Sequence, residues 1–141
     1  MTRRLLLLTA LWMGLSSHAA EPVPEITLFA PAACQPCADW AQHLRDSGFA
    51  VVVEEKEPHA MRKVKRWLNV PSTYEATHTA RVAGYFLEGQ VPAEDVRRLL
   101  ASKPVARGLV TTLPAGDAAR GQAFDTLLVG PDGVLSRFAQ H

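Results

Sequence analysis

Two cysteines three positions apart, in Cys34-Gln35-Pro36-Cys37, limit the possible folds of this chain more than any other feature. The preceding run, Glu25 to Ala30, is short and mostly apolar, which is typical of a strand, and Pro31 ends it. The residues that follow place apolar side chains at helical spacing, at Cys37, Trp40, Ala41 and Leu44. The cysteine pair is therefore predicted at a junction between a strand and a helix.

The next segments continue the alternation of strand and helix. Residues 50–54 are rich in valine and predict a second strand. A second helix is predicted from Pro58, and its inner face should hold Met61, Val64 and Leu68, with Trp67 beside them. Strand, helix, strand and helix in short order indicate a parallel strand pair with a right-handed crossover.

The pattern changes after residue 78. A hairpin is predicted at 79–88 and a third helix at 92–104, with Val96, Leu99 and Leu100 facing inward. Residues 103–123 are rich in Gly, Ala and Pro and predict a long loop, and residues 124–138 predict a second hairpin. We therefore predict an α/β fold of thioredoxin-like order, βαβα then ββα, with an extra C-terminal β-hairpin.

The first twenty residues have the features of a secretory signal peptide. Arg3-Arg4 precedes an apolar run, Leu5–Leu15, which is shorter than the roughly 20 residues of a membrane-spanning helix. Small residues at the end of this segment allow cleavage after Ala19 or Ala20. We expect residues 1–20 to be removed on export to the periplasm.

The remaining segment, 21–141, has the length of a single domain. The formal charge of the whole chain is +1, and loss of Arg3-Arg4 with a leader that contains no acidic residue changes it to −1. A near-neutral domain gives no electrostatic reason to expect a nucleic-acid partner or membrane binding after signal cleavage. Two cysteines cannot staple a disulfide scaffold, so the pair is a redox pair, a metal clip or a static bridge.

The predicted position of Cys34 suits thiolate chemistry. Unpaired N–H groups and the helix dipole favour a negative charge at a helix N-terminus. Cys37 lies one helical turn further on the same side, so the two sulfurs can form a disulfide or hold one soft cation. As a static bridge, the pair would close only a very short loop and would contribute little to stability.

His78 is the second candidate, because the segment that enters the third strand of a thioredoxin-like fold faces the cysteine pair. An imidazole can bind copper or zinc, but a lone histidine is also commonly a hydrogen-bonded structural residue. Four basic residues of the second helix, Arg62, Lys63, Lys65 and Arg66, are predicted to form a solvated helix face.

Several segments, in this order, carry a resemblance over nearly all of the mature chain: Cys34–Leu44, Asn69-Val70-Pro71, His78-Thr79-Ala80, Gly84-Tyr85, Glu88-Gly89, Val91-Pro92-Ala93 and Gly108-Leu109. They resemble domain-of-unknown-function family 411, small exported metal-binding proteins that include CopG-type copper-resistance proteins. The resemblance implies a thioredoxin-like fold, a periplasmic location and copper handling through cysteine thiolates.

The chain departs from the pattern of that family at five positions. Pro36 replaces the middle cysteine of Cys-x-Cys-Cys, Thr77 replaces the cysteine before His78, and Gln90 replaces a histidine. Leu113 and Arg120 stand where methionines are usual. The resemblance thus describes a divergent member lacking two of the usual cysteines, without the ligands for a multi-copper cluster.

Three functions agree with these observations. In the first, the protein binds one Cu(I) through Cys34 and Cys37, with His78 nearby, and meets periplasmic copper-resistance proteins. In the second, it is a thiol–disulfide oxidoreductase with Cys34 as nucleophile and Cys37 as resolving residue, and its partner is a thiol protein. In the third, it is a degenerate paralogue that binds a partner without catalysis. Family resemblance favours copper binding over enzymatic activity, because four residues alone are a weak signature.

Overall fold

The computed structural model describes residues 19–113 and 121–141, which contain three α-helices and one seven-stranded sheet. The elements in chain order are β1 (Ile26–Ala30), α1 (Gln35–Asp46), β2 (Val51–Glu55), α2 (Pro58–Trp67), β3 (Thr79–Val82), β4 (Tyr85–Glu88), α3 (Ala93–Ser102), β5 (Gly108–Thr111), β6 (Asp125–Val129) and β7 (Leu135–Gln140). The predicted leader, except for its last two residues, and Arg120 lie outside the described residues. Within the described part, no helix is long and apolar enough to cross a membrane.

The strands lie in the order β2-β1-β3-β4-β5-β6-β7. The pairs β1/β2 and β4/β5 are parallel, and the other neighbours are antiparallel. The predicted parallel pair, with α1 as its connection, and the predicted hairpin β3/β4 are therefore confirmed. The α/β class and the order βαβα then ββα are also as predicted.

The helices cover both faces of the sheet. The larger core joins apolar side chains of α1 and α3 to Leu28, Leu87 and Leu109 of the strands. A smaller core on the opposite face joins Phe86 and Val110 to residues that follow α2, because successive strand residues point to opposite sides. The stripe predicted for α1, Cys37, Trp40, Ala41 and Leu44, is buried in the larger core.

The region predicted as a long loop contains a strand, so this prediction was wrong. β5 is buried along its whole length and pairs with β4 before the second hairpin. A Cβ at Gly108 would lie 2.2 Å from the carbonyl oxygen of Phe86, so glycine allows this close approach of two backbones. The short apolar run was obscured in the sequence by the Gly, Ala and Pro around it.

The inner and outer faces of α2 also differ from the prediction. Met61 is buried as expected, but Trp67 is 64% exposed and Lys65 is only 6% exposed. Trp67 therefore does not belong to the core, and Lys65 does not belong to a solvated basic face. Lys65 is buried because it lies over a buried carboxylate of the sheet, that of Glu88.

Candidate metal centre

Cys34 and Cys37 are joined as a disulfide at the start of α1, with their Cα atoms 5.3 Å apart. Cys34 is the N-cap residue with an extended backbone, and the preceding Ala33 has φ +54°, which turns the chain from β1 into the helix. Cys37 is 2% exposed, whereas Cys34 is half-buried. Cys34 is therefore the sulfur that an incoming thiol or metal ion can reach.

The helix N-terminus supplies a hydrogen-bond donor to this sulfur. The backbone N–H of Cys37 donates to Cys34 Sγ over 3.3 Å, in the position where a side-chain oxygen usually caps a helix. A thiolate at Cys34 would accept the same bond and would lie at the positive end of the helix dipole. The local fold thus favours the anionic form that binds soft metals.

His78 lies just before β3, with its side chain buried in the protein at 3% exposure. Its ring packs against the ring of Trp40, with centroids 4.7 Å apart. Nε2 lies 3.0 Å from the carbonyl oxygen of Gly89, which can only accept, so Nε2 carries the proton and donates. The lone pair of the neutral imidazole is therefore on Nδ1.

The surroundings of His78 keep its imidazole neutral. Burial lowers the pKa of His78 to about 4, and the positive charge of Lys65 acts in the same direction. The hydrogen bond to Gly89 opposes this change without cancelling it. A metal ion would therefore meet an unprotonated nitrogen at neutral pH, as metal binding requires.

Trp40 connects the cysteine helix to His78. Its ring is one turn from Cys37 on the buried side of α1, and its Nε1 donates to the carbonyl oxygen of Val91 over 2.8 Å. This bond fixes the plane of the indole against which His78 packs. Trp40 is buried, as expected from its place in the apolar spacing of α1.

The three predicted ligands do not all meet in this structure. Cys34 and Cys37 are bonded, but the described residues contain no group of three or more His, Cys, Asp or Glu side chains arranged to hold a metal. Pro36, between the two cysteines, and His78 line one cleft of about 360 Å³. His78 is thus on the same side of the domain as the pair, and its part in binding metal stays a prediction.

The same cleft contains most of the positions at which the chain departs from the family pattern. Pro36, Thr77, Gln90 and Leu113 all line it. These four residues lack soft donor atoms, so they add no ligand for copper to the two sulfurs and the imidazole. The fifth position, Arg120, lies outside the described residues.

Sequence reasoning missed a buried polar network beside the site. Lys65 forms a salt bridge with Glu88, which is fully buried, and also donates to Thr79 Oγ1 over 2.7 Å. Burial raises the pKa of Glu88, while the charge of Lys65 and three hydrogen bonds act in the opposite direction. Two signals were present in the sequence: Lys65 is four residues after the buried Met61, and Glu88 ends an otherwise apolar strand.

The fold and site define a small α/β domain with a Cys-x-x-Cys disulfide at a strand–helix junction and a buried histidine nearby. A family model described as "Protein of unknown function, DUF411" matches residues 74–118. Two solved structures are similar over most of the chain, and each is named a copper resistance protein CopG. Form 1 is 28% identical, with 85% of this chain and 98% of that chain covered and a TM-score of 0.74. Form 2 is 29% identical, with 85% and 99% covered and a TM-score of 0.75.

No significant match was found among curated protein sequences. The two solved structures nevertheless share the fold of this chain over most of its length. The match over residues 74–118 and the likeness to the two CopG structures together support a relationship to DUF411 and CopG-type proteins.

Proposed function

We propose that this chain is an exported protein of copper resistance that holds one Cu(I) ion between the thiolates of Cys34 and Cys37. The observation that carries the proposal is the position of the two sulfurs, close enough to bond and placed at a helix N-terminus with one of them accessible. Thiolates are the ligands that select Cu(I), and two or three donors complete its coordination. The likeness to two copper resistance proteins supports the same role.

The disulfide must be opened before copper can bind in this way. A dithiol partner would donate two electrons, leaving two cysteine thiols on this chain and a disulfide on the partner. Both thiols would then lose a proton as the metal binds. We propose that the pair is oxidised when copper is scarce, in agreement with the oxidising periplasm.

A titration of reduced protein with Cu(I) under anaerobic conditions, against a competing chelator, tests the proposal. We expect one ion per chain, and we expect Cys34→Ser or Cys37→Ser to abolish tight binding, because one thiolate cannot hold the ion. His78→Ala should weaken binding by about tenfold if the imidazole is a ligand. His59 is an exposed histidine of α2, so His59→Ala is the matched control and should leave the Cu(I) affinity unchanged.

X-ray absorption at the copper edge identifies the ligands directly. Sulfur scattering from two neighbours, with or without one nitrogen, is the expected result. A copper–copper distance in a monomeric sample would contradict the single-ion site. Absence of measurable Cu(I) affinity would reject the proposed function.

Thiol–disulfide oxidoreduction is the second candidate, and the difference in burial between the two cysteines favours it. In the reduced protein only the accessible Cys34 thiolate could attack a substrate disulfide. The buried Cys37 would then resolve the mixed disulfide, releasing the substrate as a dithiol and re-forming the Cys34–Cys37 bond. Insulin reduction at a rate comparable to that of a thioredoxin would support this enzyme activity. The sequence argues against it, because Pro71 is eight residues before Thr79 and no proline directly precedes β3.

A further inference from the structure

Two opposite charges are buried between α2 and the sheet, outside the cysteine pair. Lys65 Nζ donates to Glu88 Oε1, to Thr79 Oγ1 over 2.7 Å and to the carbonyl oxygen of Ala76 over 2.9 Å. Glu88 also accepts from the Ala76 N–H over 2.7 Å and from the Thr79 hydroxyl over 2.6 Å. Every donor and acceptor in this network therefore has a partner, as a buried ion pair requires.

The network encloses the backbone on both sides of His78. Ala76 lies two residues before the histidine, and both of its backbone polar groups bond to the ion pair. Thr79 follows the histidine directly, and its hydroxyl also bonds to both charges. Directly after the neighbouring strand, Gly89 follows Glu88, and its carbonyl oxygen accepts the hydrogen bond from His78 Nε2. The path of the chain at His78 is thus fixed from both sides.

Stability alone does not account for a charged pair at this place. Apolar side chains of similar volume commonly give equal or greater stability than a buried ion pair. Apolar side chains could not, however, form hydrogen bonds with the N–H and the carbonyl oxygen of Ala76. The backbone at Ala76 would then be free to rotate. The charges therefore specify a local geometry that an apolar contact could not specify.

We infer that Lys65 and Glu88 are a positioning pair that fixes the ring of His78, so that its Nδ1 lone pair is kept for the metal held by Cys34 and Cys37. This inference rests on the proposed function. The ring orientation itself does not depend on copper, so it can be tested separately.

The test variant is Lys65→Met combined with Glu88→Leu, which removes both charges at similar volume. Its matched control is Lys63→Met combined with Glu57→Leu, two exposed positions of the same helix region. Long-range ¹⁵N–¹H spectra of the oxidised, metal-free protein report the tautomer of His78 and the ring-current shift from Trp40. We expect one Nε2-protonated form in the parent and the control, and mixed tautomers with a smaller shift in the test variant.

Cu(I) affinity of the reduced protein is then measured for both variants in the His78 and the His78→Ala backgrounds. We expect the test variant to lose about tenfold in affinity with His78 present and less than about twofold without it. Equal losses in the two backgrounds would overturn the inference, because the pair would then act on the fold as a whole. Unchanged His78 spectra would also overturn it.

The spectra and the affinities together also separate two further outcomes. If the parent protein binds no Cu(I), the proposed function fails, while the spectra still decide whether the pair positions the ring. If the double variant does not fold, Thr79→Val takes its place, because it removes only the hydroxyl that joins both charges. The same spectral change is expected from it, and its absence would reject the inference.

Discussion

His78 packs against Trp40 and donates to the carbonyl oxygen of Gly89. Together with burial, these contacts determine the protonation and orientation of its ring. The sequence identified this histidine but left open whether it is a ligand or a structural residue. Its spacing from the cysteines carries no information on which nitrogen is protonated. That information comes from Gly89, eleven residues later, which only the hairpin β3/β4 brings near.

The low pKa of His78 predicts a dependence of stability on pH. The pKa is about 4 in the folded protein and 6.5 as an ordinary value, so the unfolded chain binds more protons between these limits. Stability should therefore fall as the pH is lowered from about 6.5 to about 4, by about 3 kcal/mol from this residue. Urea unfolding of the oxidised protein across this range measures the effect.

The comparison protein for that experiment is His78→Gln, which should lose most of this pH dependence. The raised pKa of Glu88 contributes with the opposite sign, but it is present in both proteins and cancels in the difference. His59→Gln should behave as the parent. An equal pH slope in the parent and in His78→Gln would show that His78 is not the group that resists protonation.

The burial of Lys65 was not predicted from the sequence, in which it is one of four basic residues of α2. Lys65→Met alone should reduce the free energy of unfolding by about 3 to 5 kcal/mol, because it leaves the Glu88 carboxylate buried without its partner. Lys63→Met, an exposed lysine of the same helix, should cost less than about 1 kcal/mol. Denaturation at neutral pH compares the two, and equal costs would show that the buried pair is not intact in solution.

At the level of elements, periodicity and turn residues were sufficient for most of the fold. The helical spacing from Cys37 to Leu44 predicted α1, and the hairpin predicted at 79–88 corresponds to β3 and β4. β5 was missed because its four residues have neither a period nor a turn signal of their own. Its place depends on pairing with β4, a non-local contact that the sequence pattern does not contain.

Gly108 provides a test of that pairing. Gly108→Ala would place a Cβ against the backbone oxygen of Phe86, which cannot move without displacing β4, and should cost about 2 to 3 kcal/mol. Gly130→Ala is the matched control, because its nearest atom, at 2.9 Å, is the carboxylate oxygen of the Asp132 side chain. Its cost should be smaller, since that side chain can turn away. Equal costs in a denaturation experiment would argue against the close β4/β5 contact.

At the level of the whole molecule, the candidate metal centre lies at one end of the central strands of the sheet, which has helices on both faces. The cysteine pair follows the end of β1, His78 precedes β3 and Gly89 follows β4. Element order alone was sufficient to place the cysteine pair and His78 at this end of the strands. It could not predict the network of Lys65, because that requires knowing which side of α2 faces the sheet.

The predicted export concerns the whole chain and has its own test. Mass spectrometry of the protein from the periplasmic fraction should give a first residue of Ala20 or Glu21. Replacing Arg3 and Arg4 by glutamate should reduce processing, because a signal peptide requires a basic start. Recovery of the intact chain in the membrane fraction would show that the leader is not cleaved.

The different environments of two indoles make the domain suited to optical measurement. Residues 21–141 contain two tryptophans, Trp40 in the core and Trp67 at the surface, 64% exposed. Trp67→Phe would leave one tryptophan in this segment, and its ring packs against the imidazole of His78 and lies one turn from Cys37. Its emission can then follow opening of the disulfide and entry of a metal in real time, without any attached dye.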